Sequence, residues 1–537
     1  MHSQGVHEAE AHPSTQWRSV SDLLDSRAQR TPDAPAASFP TGEISYAELA
    51  SGTVLAARRL RALGVGPGDR VGILLREGCL PYVTIGLGIM RLGAICVPIN
   101  ARNKTHELSY VSEHAGLRLL LIASEFEELT REAGLPAGCE LVVLGGDAEL
   151  PGGPGNVTAN NIAEIEQSVD PDTASLLLYT SGTTANPKGV MHTHSTLIAV
   201  GYNTSERLEL TSDDRYWTAL AMFHVGGWQV LASALAVGAC FSHVGFFDAG
   251  STLDQLERER VTVAMPAFEL IWMGVLNHPR FADADLSALR LVMNVGVPER
   301  LESMQRMLPQ AVQVSMVGMT ESLGSICIGS LSDSLYSRTH SSGRPLRGME
   351  VRVIDLETGD ECAPGVPGEL LFRGVSRFVE YYRDPRTTAN VIDDEGWART
   401  GDLVRHEEDG TVAFMSRLKD MLKVGGENAS AAEIEGYLIT HSGVAVAAVV
   451  AAPDARYGEV PAAFVQRTPG SAVTAEELTE YCIGSIASFK VPRYFRFVED
   501  FPVAASAKIQ KFVLRERIEA ELRELGITEA PKISRPR

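Results

Sequence analysis

No stretch of this chain approaches the ~20 consecutive apolar residues that a membrane-spanning helix needs. The longest runs, such as VAVAAVVAAP at 444–453, fall far short of it. Seven cysteines (Cys79, Cys96, Cys139, Cys240, Cys327, Cys362, Cys482) are scattered without CxxC spacing, so neither a zinc site nor a disulfide framework is indicated. A reducing cytoplasm is the expected setting. Basic residues are the scarcer charge, 48 against 68 acids, and the net −20 repels nucleic acid and anionic membrane. Neither is expected as a partner, and any anion site has to be locally positive. The first residues, MHSQGVHEAEAHPSTQ, lack a basic segment followed by an apolar core, so no secretory leader is expected. HEAEAH places its histidines five apart, about 140° round a helix, which is wrong for two ligands on one face. Internal repeats and low-complexity tracts are also missing.

What is present is enough chain for two or more domains, 537 residues with 45% apolar side chains. From Val20 to about Leu129, amphipathic helical patterns (VSDLLDSRAQRTP, YAELASGTVLAARRLRALG) alternate with short apolar strands (RVGILL, AICVPIN). That alternation predicts a parallel α/β sheet. The glycines of GVGPGDRVGIL precede the strand and open no helix, so they read as a tight turn. Strand-like TVAMP, LRLVMNVG and VQVSMVG continue the pattern through 201–343. From Arg344 to Arg417 the texture changes to MEVRVID, GELLFRG and TVAFMSR, which predicts a small, mostly antiparallel β region. Beyond it, LKDMLKVGGENASAAEIEGYLITHSGVAVAAVVAAPD reads as a charged link, a strand, a helix and a strand. The closing EAPKISRPR reads as disordered.

YTSGTTANPKGVM at 179–191 follows the buried strand ASLLL. Small residues let backbone N–H groups approach phosphate oxygens, hydroxyls add donors, and Lys188 adds positive charge. It is not a P-loop, because no Ser or Thr follows a Gly-Lys pair. TSGTTxxPKG resembles the phosphate-binding loop of the adenylate-forming (AMP-binding) family of acyl-CoA synthetases, luciferases and peptide-synthetase adenylation domains. VGMTE at 317–321, WARTGDL at 397–403, SRLKDMLKVGGENASAAEIE at 416–435 and FPVAASAKIQK at 501–511 resemble further motifs of that family, in its order and over nearly its whole length.

The resemblance implies an α/β fold, a large N-terminal domain of packed α/β sheets with a small β-barrel-like region and a small mobile C-terminal α+β domain. The implied boundaries are 1–417 for the adenylation domain, 418–419 for a hinge centred on Lys419, and 420–537 for a lid. ATP and AMP would contact Thr180, Ser181, Gly182, Thr183, Thr184 and Lys188. Further nucleotide contacts would come from Gly296, Val297 and Pro298 (a GVP turn resembling the family's GAP), from Val317, Gly318, Met319 and Thr320, and from Asp402, Arg417 and Lys508. Glu321 would hold Mg2+, Asp402 and Arg417 the ribose, and Lys508 would reach the reacting groups; Lys508, Thr320, Glu321 and Lys188 are the implied catalytic set. Lys423, Gly425 and Gly426 would meet CoA. Val317 stands where many relatives carry a Tyr that stacks on adenine, and Ala185 and Ala507 replace usual glycines.

AMFHVGGWQVLASAL at 221–235 occupies the acyl-pocket region, giving His224, Val225, Gly226, Gly227, Trp228 and Gly296 as its lining. The run carries no acid to pair with an ammonium, so an amino acid is disfavoured and a hydrophobic acid favoured. Small Gly226, Gly227 and Gly296 are expected to leave room, with Trp228 shaping it and His224 gating it; a core role for His224 is the alternative. Fatty, aryl, alicyclic and polycyclic acids are not separated. No carrier-protein segment follows Lys511, so loading onto an attached arm is not expected, and no insertion of the fatty acyl-AMP ligase kind is seen, which favours free CoA; the resemblance thus implies an AMP-forming acid:CoA ligase acting on ATP, CoA and a small carboxylic acid. A separate carrier protein, a non-catalytic nucleotide binder and a homodimer remain open.

Overall fold

A computed structural model of the chain describes residues 12–531 except 77, 181–186, 426, 484 and 504–507. Two large sheets dominate. One has seven strands in the order Val312–Val314, Leu291–Asn294, Val263–Ala267, Arg215–Thr218, Cys240–His243, Pro35–Phe39 and Gly42–Ser45. The other has six, ordered Glu140–Val143, Leu119–Ile122, Arg70–Leu74, Ile95–Pro98, Ala174–Thr180 and Lys188–Thr193. Both are parallel except for one antiparallel edge strand, Gly42–Ser45 in the first and Lys188–Thr193 in the second. Parallel strands need crossover helices on both faces, which is what the alternating pattern implied. The tight turn before Arg70–Leu74 also stands, with Gly64 and Gly68 at φ +83 and +78.

Helices Leu80–Arg91, His194–Arg207 and Val225–Val237 join one core cluster with residues of both sheets. Val225–Val237 is apolar all round and buried along nearly its whole length, as a helix in the middle of a large core must be. Gly201 lets two of these helices close up, since a Cβ there would lie 2.5 Å from the Ala232 carbonyl oxygen.

The expected antiparallel region is a four-stranded sheet, Met349–Ile354, Pro367–Gly374, Ala398–His406 and Val412–Arg417, paired in chain order. Beside it Met316–Val317, Cys327–Ile328 and Arg344–Pro345 form a three-stranded sheet. From Leu422 to Leu522 the buried apolar residues form a cluster of their own. Its sheet combines Glu427–Ser430, Met421–Val424, Gly458–Arg467, Val444–Asp454 and Tyr494–Phe497, with helices Ala431–Leu438, Ala475–Cys482 and Lys511–Glu524.

Two expectations are corrected here. The single strand expected after Lys419 is a hairpin, Met421–Val424 against Glu427–Ser430, because Gly425 at φ +61 turns the chain. Of the closing EAPKISRPR only 529–531 are described, and these are held, while 532–537 lie outside the described residues. The Ala530 N–H donates to Asp454 (2.6 Å), and Arg493 donates to the Pro531 carbonyl (3.3 Å). Of HEAEAH, only His12 is described; its ring bonds Ser14 and Asn203, a structural use.

Candidate active site

Strands Ala174–Thr180 and Lys188–Thr193 are two arms of a hairpin in which Thr180 and Lys188 are directly paired. They hold both ends of the hydroxyl-rich loop; Ser181, Gly182, Thr183 and Thr184 lie outside the described residues. The outer edge of the second arm is covered by residues 379–382. The Val379 N–H donates to the Met191 carbonyl (2.9 Å), Met191 to Glu380 (3.2 Å) and Tyr382 to Gly189 (2.8 Å). This covers an otherwise open sheet edge. It also brings Tyr381 to Lys188, whose Nζ lies 4.9 Å from the ring centroid in cation–π contact.

Thr320 and Glu321 occupy a short turn, Thr320–Ser322, after strand Met316–Val317. The preceding loop folds tightly: a Cβ on Gly318 would lie 1.9 Å from the Gly324 oxygen, so glycine is required there. Three bonds fix the turn. His192 donates from Nε2 to the Thr320 carbonyl (2.8 Å), the Phe378 N–H donates to the Glu321 carbonyl (2.8 Å), and the Tyr381 hydroxyl donates to Glu321 Oε1 (2.6 Å). Burial holds His192 neutral at about 4, opposed only by its bond to Thr320. Burial also raises the Tyr381 phenol, and Glu321 raises it further, so it stays a donor. Val317 is buried in its strand against Cys327.

Asp402 and Arg417 face each other across strands Ala398–His406 and Val412–Arg417. Arg417 Nε lies 2.7 Å from Asp402 Oδ1 without hydrogen-bond alignment, which leaves a buried carboxylate oxygen available to a ligand. Burial pushes the Asp402 carboxyl up to about 6 against the pull of Arg417 and Lys508. Lys508 comes from the C-terminal cluster's side of the chain. Its side chain is exposed, yet the surrounding protein still acts on it. That surrounding protein, with Arg417 next, brings its ammonium down to about 8, while Asp420 and Asp402 oppose. Lys419, exposed in the turn Leu418–Asp420, acts on it in the same sense as Arg417.

Lys508 also acts on His224, which burial lowers to about 4 and Lys508 lowers further. His224 caps helix Val225–Val237 by accepting the Gly226 N–H at Nδ1 (3.2 Å), and its ring meets Phe268 edge-on at 5.9 Å. Val225 is buried behind it. Three acyl-pocket expectations need correction. Trp228 is fully buried, donates to the Met222 carbonyl (2.6 Å) and packs on Gly86, so it is core. A Cβ on Gly226 would strike Leu220 at 2.1 Å, and one on Gly227 would crowd Met222 at 3.0 Å; their smallness serves close packing rather than an empty volume. At Gly296 no close approach demands glycine, since a Cβ would meet Leu301 at an ordinary 3.6 Å. Val297 and Pro298 begin helix Pro298–Met307, and Val297 packs toward Gly436 of the C-terminal cluster's first helix.

Lys423 and Gly425 lie on the exposed hairpin, and Gly425's turn bond runs to the Tyr457 carbonyl (2.8 Å). No interaction found among the described residues ties either to Asp402, Glu321 or Lys188. Gly426 lies outside the described residues. Tyr381, His192 and Phe268 were missed by sequence reasoning. A surface cavity of about 630 Å³ lined by Glu43, Arg215, Arg258, Glu259 and Arg260, among others, shares no residue with this site. Its arginines are already matched to acids.

For Mg2+, the donors fit a substrate-bridged ion better than a protein cage. No group of three or more His, Cys, Asp or Glu is arranged for a metal among the described residues. Glu321 is a buried carboxylate with only Oε1 engaged by a described residue. One hard oxygen ligand completed by phosphate oxygens and water suits Mg2+.

The α/β body and the C-terminal unit with its own apolar cluster are the two parts of one enzyme family. Residues 24–382 match the AMP-binding enzyme family and residues 433–508 the AMP-binding enzyme C-terminal domain, and the chain belongs to that family. It is 34% identical over 515 residues to a Mycobacterium tuberculosis CoA ligase for a methyl-dioxo-octahydroindenyl propanoyl group (93% of this chain, 99% of the relative). It is 33% identical over 494 residues to a feruloyl-CoA synthase of Amycolatopsis sp (91% and 97%). ATP-bound MatB from Rhodopseudomonas palustris superposes with TM-score 0.82 at 27% identity, covering 93% of this chain and 99% of that one.

Proposed function

We propose that the protein is an AMP-forming acid:CoA ligase for a hydrophobic carboxylic acid. The observation that carries this reading is the convergence of charges from distant segments. Lys188 and Glu321 meet on Tyr381, Glu321 and Lys508 both act on Asp402, and Lys508 also acts on His224. A carboxylate is a poor acyl donor, and the site supplies what its activation needs. The acid's oxygen attacks the α-phosphorus of ATP, the bond to the β-phosphate oxygen breaks and pyrophosphate leaves. Lys188 steadies the departing phosphates, Asp402 and Arg417 hold the ribose, and Lys508 offsets charge developing between carboxylate and phosphate. Mg2+, held by Glu321 and the phosphates, would supply charge neutralisation there. CoA sulfur then attacks the acyl carbon, AMP departs from it, and the thiol proton passes to solvent.

The domain division 1–417, hinge 418–419 and lid 420–537 belongs to the same proposal. What supports it is that Lys508 acts on Asp402, whereas no interaction among the described residues ties Lys423 or Gly425 to Asp402, Glu321 or Lys188. Rotation about Lys419 would withdraw Lys508 and bring the hairpin in for CoA. A hydrophobic acid is supported by the apolar neighbours of His224, the Phe268 ring edge-on to it and the buried Val225 next to it in the chain. The acid nearest this face, Glu269, is occupied by Arg300, whose Nε lies 2.7 Å away. The ring-bearing acids of the two relatives head the panel to test.

Pyrophosphate exchange with aryl, polycyclic and fatty acids, followed by CoA addition, tests the reading. Exchange with at least one hydrophobic acid and a CoA-dependent thioester are expected. ATP binding without exchange for any acid would favour a nucleotide sensor, and adenylate formation without a CoA thioester would favour a separate carrier.

A further inference from the structure

Tyr381 touches both halves of the phosphate machinery and belongs to neither motif. Its hydroxyl donates to Glu321 Oε1 at 2.6 Å, and its ring lies under the Lys188 ammonium at 4.9 Å. Its backbone is bridged to Val190, two residues along the strand that Lys188 begins. Phe378, three residues earlier, bonds the Glu321 carbonyl and stacks edge-on against the Tyr381 ring at 4.9 Å. The segment 378–382 is therefore strapped to the Lys188 strand on one side and to the Glu321 turn on the other. Buried all but 4%, with its backbone N–H bonded to Thr388 (3.0 Å), the tyrosine has little freedom to do otherwise.

We infer that Tyr381 is a positioning residue that sets Glu321 and Lys188 as one unit, the hydroxyl orienting the carboxylate and the ring seating the ammonium. A carboxylate with one oxygen committed to a phenol presents the other in a fixed direction, and a lysine held over a ring face loses rotamer freedom before the phosphates arrive. Because the ammonium sits on the ring face and the carboxylate on the hydroxyl, one side chain holds the cation and the anion at separate places. The inference rests on the nucleotide reading of Glu321 and Lys188 given above.

The test separates hydroxyl from ring, using the full-length enzyme. Tyr381→Phe keeps the ring and Tyr381→Leu removes both. Mn2+ uptake by the enzyme–ATP complex is followed by electron paramagnetic resonance, and ATP binding in EDTA by calorimetry. Tyr381→Phe is expected to bind metal-free ATP within twofold of wild type while taking up Mn2+ roughly tenfold more weakly. Tyr381→Leu is expected to show the same metal defect plus several-fold weaker metal-free ATP binding. In a Glu321→Gln background, Tyr381→Phe should add no further Mn2+ defect, since the effect passes through Glu321. Wild-type Mn2+ uptake by Tyr381→Phe, or an equal loss of both readouts in the two variants, would overturn the assignment while leaving the nucleotide reading intact. Wild-type enzyme that takes up no ATP under either condition would overturn that reading and this one with it.

Discussion

The two walls of the site are built differently. On one wall Lys188, Tyr381 and Glu321 belong to the large core, strapped by backbone bonds and a buried histidine. On the other, Lys508 comes from a unit with its own hydrophobic cluster, which meets the main body at several points, Gly436 packing toward Val297 among them. Another is Arg300, which donates to the Ala445 carbonyl (2.6 Å) from beside Glu269. Under the proposed mechanism this is a division of labour: groups needed throughout sit on strapped elements, and the one group needed for a single half-reaction comes from the separate cluster.

That contrast can be sharpened from either side. On the fixed wall, Asp402→Asn should weaken ATP binding by roughly 100-fold in calorimetry, because a carboxylate accepting two ribose hydroxyls is worth more than an amide that can accept fewer. At the junction, Arg300→Ala leaves Glu269 partly buried without its cation and frees Ala445. About 2 kcal/mol of stability should be lost in denaturant titration, less than for a fully dry pair because Glu269 remains a quarter exposed. Burial already raises the Glu269 carboxyl and Glu435 adds to it, so the loss should be larger at pH 8 than at pH 5, where protonation relieves the stranded charge.

The pH profile reads both walls at once. Asp402 must be ionised to accept hydroxyl protons, and Lys508 must be protonated to offset anionic charge. kcat/KM for ATP should therefore rise as pH passes about 6 and fall as it passes about 8. Asp402→Asn should remove only the acid limb. The smallest effect concerns the acid. Gly296→Val should lower kcat/KM for bulky acids several-fold and spare small ones, whereas Trp228→Leu should lower the melting temperature without changing the order of preferred acids.

Much of this was legible in the sequence for a physical reason. The proposed phosphate, ribose and metal contacts fall on short segments at or near the ends of strands, so VGMTE, TGD and PKG each carry their implied chemistry locally. Tyr381, His192, Phe268 and Arg300 act by touching segments far away in the chain, and FVEYYRDP or GVMHTH carries no period or spacing that announces such a partner. Glycine was the residue most easily misread. A small residue in a string does not say whether close approach demands it: Gly226 and Gly227 are pressed by Leu220 and Met222, whereas at Gly296 a Cβ would make only ordinary contact with Leu301. The hairpin at Gly425 was missed because LKVGGENAS is short enough to pass for one strand.

The central claim, that Lys508 belongs to the adenylating site by visit rather than by residence, is tested most directly by measuring both half-reactions in Lys508→Ala. Adenylate formation should fall by about 10²–10³-fold, the scale of losing one charge-stabilising group. Thioester formation from supplied acyl-adenylate and CoA should stay within twofold of wild type. Equal loss in both half-reactions would mean that Lys508 never leaves, and the alternation of the two walls would be wrong.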